Sequence, residues 1–149
     1  MEKGLQQTNK ITNYVVARYQ DGRMVKGITH DFGTQKKAFH VISKEDDKGK
    51  GGGKVTEVFL ADLKAVFFVK SLTGKRDHSP VKESLKEEMI PKGSVKVKIT
   101  FFDGEILTGT TQGYGPERKG FFVIPLESES NNLRVFVISG AIKKIETWK

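Results

Sequence analysis

The sequence predicts an all-β protein made of two tandem five-stranded small barrels. Three observations predict it: a strand-turn-strand unit that occurs twice, an Asp-Gly turn in each copy, and a glycine inside each second strand. Sliding the chain by 82 positions lays residues 15–45 on residues 97–127 without a gap. In that window 11 of 31 positions are identical, among them Asp21, Gly22, Gly27, Gly33, Lys37, Phe39 and Val41, whereas chance would give roughly two. Duplication explains the match.

Each copy opens on an alternating strand. Val15, Ala17 and Tyr19 point to one face in the first copy, as Val95, Val97, Ile99 and Phe101 do in the second. Asp21-Gly22 and Asp103-Gly104 follow at once, and this dipeptide between apolar runs marks a hairpin because glycine accepts positive φ without steric cost. The second strand carries Gly27 or Gly109, where a missing side chain marks the sharp bend that lets a short sheet close. A third strand is expected through residues 39–42 and 121–124, and a fourth at 55–60 and 133–139. Residues 63–66 and 142–145 then correspond at a shift of 79, which implies a short turn and a fifth strand. Five strands per copy close a small barrel. The apolar run 65–69 is an edge that pairs either with the second copy or with another molecule.

The organisation expected is a polar tail over residues 1–13, a first barrel over 14–70, a charged linker over 71–94 and a second barrel over 95–149. Val81, Leu85 and Met89 recur every fourth residue in the linker, the spacing of a short amphipathic helix. Apolar residues at 36% and charged residues at 30% describe a globular protein, and the longest apolar run falls far short of the roughly 20 residues a membrane-spanning helix needs. No membrane partner is expected. The chain has no cysteine, and residues 1–13 lack the apolar core of a secretion signal, so a cytoplasmic setting is expected. The net charge of +8 favours anionic partners, but acidic residues are interspersed throughout and describe a solvated basic surface.

Residues 15–32, Val-Val-Ala-Arg-Tyr-Gln-Asp-Gly-Arg-Met-Val-Lys-Gly-Ile-Thr-His-Asp-Phe, resemble the first motif of Sm-like proteins, and residues 97–114 resemble it again. The resemblance implies a strongly bent five-stranded barrel, ring assembly and binding of single-stranded RNA. Sm-like RNA binders place an aspartate directly after the motif's aromatic and an asparagine four residues later, to hold a base. Those positions are Gly33 and Lys37 in one copy and Gly115 and Lys119 in the other, so the resemblance extends to the barrel and not to base reading. The arrangement is also similar to uncharacterised bacterial proteins.

Candidate sites are few. The run of glycine and lysine at 48–54 fails as a phosphate loop, because Lys48 stands at the first glycine position and Val55 follows Lys54 where Ser or Thr is required. His30, His40 and His78 have no metal-ligand spacing, and no Ser-His-Asp set or isolated carboxylate pair stands out, so no catalytic residue, metal or cofactor is expected. Two features remain. Lys36-Lys37 and Arg118-Lys119 recur at equivalent loop positions and are candidate contacts to nucleic acid or another anion. Alternation also puts Phe102 and Phe122 on one outward face of the second copy, where the first has Gln20 and His40, as a stacking surface or the face between the two copies.

The reading that follows is a non-enzymatic binding or adaptor module, an intramolecular pseudo-dimer of barrels whose partner is an unknown protein or the chain itself. One alternative is a nucleic-acid binder of low specificity for single-stranded RNA. Another is a small-nucleotide-responsive domain of the PilZ kind, whose paired arginines and Asp-x-Ser signature the chain lacks.

Overall fold

The structure is a computed structural model, and it describes residues 13–43, 53–70, 93–114, 118–126 and 132–148. The first five strands are β1 (Asn13–Tyr19), β2 (Met24–Thr29), β3 (Ala38–Ile42), β4 (Val55–Phe59) and β5 (Leu63–Val69). The second five are β6 (Val95–Phe101), β7 (Ile106–Thr111), β8 (Gly120–Pro125), β9 (Asn132–Ile138) and β10 (Ile142–Trp148). Short 3-10 turns at Leu60–Asp62 and Ser139–Ala141 separate the last two strands of each set. The helix expected around Val81, Leu85 and Met89 lies outside the described residues, as does most of the run at 48–54. Among the described residues no helix is long and apolar enough to cross a membrane.

Alternation in β1 and β6 buries Val15, Ala17 and Tyr19, and likewise Val97, Ile99 and Phe101, while the residues between them face outward. The hairpins that follow close on Gly22 at φ 99° and Gly104 at φ 95°, values that a side chain would make strained. Each aspartate braces its own turn: Asp21 Oδ1 accepts from the Arg23 N–H at 3.0 Å, and Asp103 Oδ1 from the Glu105 N–H at 2.9 Å. A Cβ on Gly27 would fall on the carbonyl of Ile42, and one on Gly109 on the carbonyl of Ile124. Both glycines are therefore sites of close backbone approach between the second and third strands of their sets.

The ten strands form one antiparallel sheet in the order β10-β6-β7-β8-β9-β5-β1-β2-β3-β4. The sequence leaves open whether the fifth strand of the first set pairs with the second set or with another molecule, and it expects each set to close as a barrel, where the structure has one open sheet. The two sets join because β5 pairs with β1 on one side and with β9 on the other. The apolar run 65–69 thus meets the second half of the chain, with Ala65 opposite Val137, Val66 opposite Phe136 and Phe67 opposite Val135. Each set reads fifth-first-second-third-fourth across the sheet.

Two hydrophobic cores result, and they exchange side chains at the join. The first gathers Val15, Phe39, Val41, Leu63 and Phe68, and takes Phe136 and Ile138 from β9. The second gathers Val97, Ile99, Phe101, Val123 and Val135, and takes Ala65 from β5. Burying an aromatic or branched side chain such as Phe136 or Ile138 contributes roughly 1.5–3 kcal/mol, so the first half depends strongly on the junction, to which the second core adds only the methyl group of Ala65. A polar clasp adds to it. Lys64 on β5 is nearly buried, pairs with Asp103 at 2.7 Å and with Glu105, and lies 4.8 Å from the Phe101 ring centre. The hydrogen bonds from Lys64 and from the Glu105 N–H hold the Asp103 carboxyl below its ordinary value.

Candidate functional site

The loop between β2 and β3 and the loop between β7 and β8 come to the same place, where the two halves meet. Backbone hydrogen bonds set them there in the same way. The Leu60 N–H donates to Lys37 O at 2.9 Å, and the Ser139 N–H donates to Lys119 O at 2.9 Å. Each basic loop is thereby tied to the 3-10 turn of its own half, and the join through β5 and β9 brings the turns side by side.

Two adjoining cavities open at this place. One, of about 640 Å³, is lined by Lys36, Lys37, Arg118 and Lys119 with Phe59 and Ser139. The other, of about 680 Å³, lies towards the second half and shares Thr34, Arg118, Lys119 and Phe136 with the first. The structure therefore brings together all four cations that the sequence singled out. Lys36 is partly committed, since its ammonium donates to Asp31 O at 2.9 Å. Lys37, Arg118 and Lys119 make no ion pair or side-chain hydrogen bond among the described residues. Two hydroxyls at the walls are also without a partner there: Thr110 Oγ1 beside the larger cavity and Ser139 Oγ beside the smaller. Cations with free donors beside aromatic walls can hold an oxyanion and shelter an apolar body at once.

Phe102 and Phe122 are not brought together. Phe102 lies in the turn after β6 and is 68% exposed. Phe122 faces the first half: its ring stands 5.0 Å from Phe136, 5.9 Å from Phe68 and 6.3 Å from Phe32. Arg134 covers this cluster, its guanidinium 4.6 Å from the Phe68 ring centre and 4.5 Å from that of Phe122. Phe122 thus lies at the face between the halves, whereas Phe102 stands on an exposed hairpin tip.

Phe59, Phe136, Ser139 and Thr110 belong to the site and were not singled out in the sequence. Phe59 and Ser139 could have been found by asking which residues adjoin the short turns before each fifth strand. Phe136 and Thr110 carry no such local signal, because the first enters the site only through the register of β9 on β5, and the second only through the absence of a partner.

An all-β chain, one sheet of ten strands with a cation-lined groove at its middle, is the class that fold and site define. The chain belongs to DUF6982, a family of unknown function whose model matches residues 11–149. Compared with curated proteins and with solved structures, it matches none.

Proposed function

We propose that the protein is a non-enzymatic binding module, an intramolecular pseudo-dimer of two Sm-like five-stranded barrels, which takes an anionic partner in the groove at their junction. The observation that carries this reading is the convergence of Lys36, Lys37, Arg118 and Lys119 on adjoining cavities from equivalent loops. Duplication supports it, since one loop type supplied twice gives a site that neither half has alone. Thermal unfolding with tripolyphosphate, a polyanion without bases, tests it. The midpoint should rise for the native chain and stay fixed for a Lys37→Glu, Arg118→Glu, Lys119→Glu variant; equal behaviour of the two proteins would remove the groove from the reading.

A second reading is favoured by one further feature. Phe59, 47% exposed, lines the groove beside the cations, and an aromatic next to backbone-tracking charges is the pattern of single-stranded nucleic-acid binding. Fluorescence anisotropy with labelled single-stranded RNA and DNA between about 50 and 200 mM salt distinguishes it, because phosphate contacts weaken steeply across that range. Absence of binding at the lower salt excludes it.

A further inference from the structure

The two halves treat one position differently, and the difference has the form of a missing ligand group. In the first half Asp31 follows β2 and its half-buried carboxylate is held by the chain. Oδ1 accepts from the Thr29 hydroxyl at 3.1 Å and from the His40 N–H at 2.9 Å, and Oδ2 lies 2.7 Å from His40 Nδ1. Lys36 closes the corner through its bond to Asp31 O. The corner contains its own anion.

At the equivalent place 82 residues on, Thr111 stands for Thr29 and Arg118 for Lys36, but Gly113 stands for Asp31 and Phe122 for His40. The carboxylate is gone together with the His40 ring that bonded it, and the cation, which in the first half reaches the Asp31 backbone carbonyl, remains. The guanidinium carbon of Arg118 lies 3.4 Å from where a Cβ on Gly113 would be, so the positive charge covers the root of the absent side chain. Thr110, only 1% exposed, lies in the wall of the same cavity with its hydroxyl sealed from solvent and without a partner among the described residues. Thr111 turns its hydroxyl to Phe122 O at 2.7 Å. The cavity of about 680 Å³ is of the size that takes a small organic molecule, and Phe121, Phe122 and Phe136 supply its apolar wall.

Resting on the binding reading above, we infer that the second half takes a small organic oxyanion at this position. A carboxylate or phosphate head is held by Arg118 where the first half places the carboxylate of Asp31, with the apolar body against Phe121, Phe122 and Phe136. Arginine suits this, because its planar fork of donors matches both kinds of head. Gly113 is then the residue that makes room, and the first half is the built-in example of the filled corner.

The experiment is a titration of the full-length ¹⁵N-labelled chain, followed by amide chemical shifts, with benzoate and with phenyl phosphate; the two arms separate a carboxylate from a phosphate head. Benzyl alcohol is the uncharged control. One or both anions should give saturable shifts at Gly113, Gly120 and Phe122, and benzyl alcohol should not. Arg118→Gln should weaken the anion by about tenfold or more, the effect of losing a charge-assisted hydrogen bond. Gly113→Asp should abolish binding with the fold intact, since the new carboxylate occupies the corner and its Cβ meets Arg118 at ordinary contact distance. Shifts by neither anion, equal shifts by benzyl alcohol, or native affinity in the Gly113→Asp variant would overturn the inference. Failure here with a retained tripolyphosphate effect removes only this ligand class, whereas loss of both removes the groove.

Discussion

Replacing Phe136 by alanine tests whether the two halves are one cooperative structure. The residue belongs to β9 in the second half, yet its ring is 2% exposed within the core of the first. It stands 5.4 Å from Phe32 and 5.0 Å from Phe122, edge to face, and rests against Gly120, where even a Cβ would collide with it. Removing a buried ring costs about 3–5 kcal/mol, and the upper part of that range applies where neighbours cannot collapse into the space. Gly120 is fixed by its pairing with Ile138, so collapse from that side is resisted. At about 2–4 °C per kcal/mol for a chain of this length, the thermal midpoint should fall by roughly 6–20 °C. Urea unfolding can be followed by far-ultraviolet circular dichroism and by fluorescence of Trp148, the only tryptophan, on β10 at the far end of the second half. Both signals should move together to lower urea. A Trp148 transition that stays at its native midpoint while the dichroism shifts would refute the shared core.

Three further outcomes are expected. The carboxyl of Asp31 is pushed up by burial but brought down to about 2, from an ordinary 3.8, by hydrogen bonds from the His40 ring, the His40 N–H and the Thr29 hydroxyl. Its stabilisation is present above the ordinary value and lost as pH falls towards 2, so urea midpoints measured in steps over that window should decline less steeply in Asp31→Asn. Gly109→Ala should cost about 1–3 kcal/mol through forced displacement at the Ile124 carbonyl, whereas Gly140→Ala, with open space at its Cβ, should stay within about 0.5 kcal/mol by chemical denaturation. Lys64→Met should return the Asp103 carboxyl towards 3.8, read by NMR titration, and change stability by no more than about 1 kcal/mol, because water takes the place of the cation at two half-exposed carboxylates.

The strands, their hairpins and the bends were legible in the sequence because each has a local cause. Alternation in β1 and β6, the Asp-Gly turns, and Gly27 and Gly109 are all properties of a few neighbouring residues. The join was legible only as a choice, since residues 65–69 showed an apolar edge without naming its mate. The register that sets Val66 against Phe136 is a property of two distant segments, and with it go the exchange of side chains between the cores and the seat of Phe122. The basic loops were visible as equivalent positions, but their meeting depends on the join. The contrast of Asp31 with Gly113 also stood in the sequence, as one mismatch among many. It acquired meaning only with the cavity beside Arg118.

The head-to-tail character of the join bears on growth of the sheet. A fourth strand, β9, meets a fifth strand, β5, so the outermost strands left over are a fourth, β4, and a fifth, β10. Unlike ends of this sort invite copy after copy into a ring or a fibre. The outer strands differ from the join at matching positions: where the join has Ala65 and Phe136, they have Lys144 and Glu57, 79 residues away in each case. Stacking another molecule there would strip water from charges that the central seam replaces with a methyl group and a ring. The same pair of sites is thus apolar at the central seam and charged at the two rims.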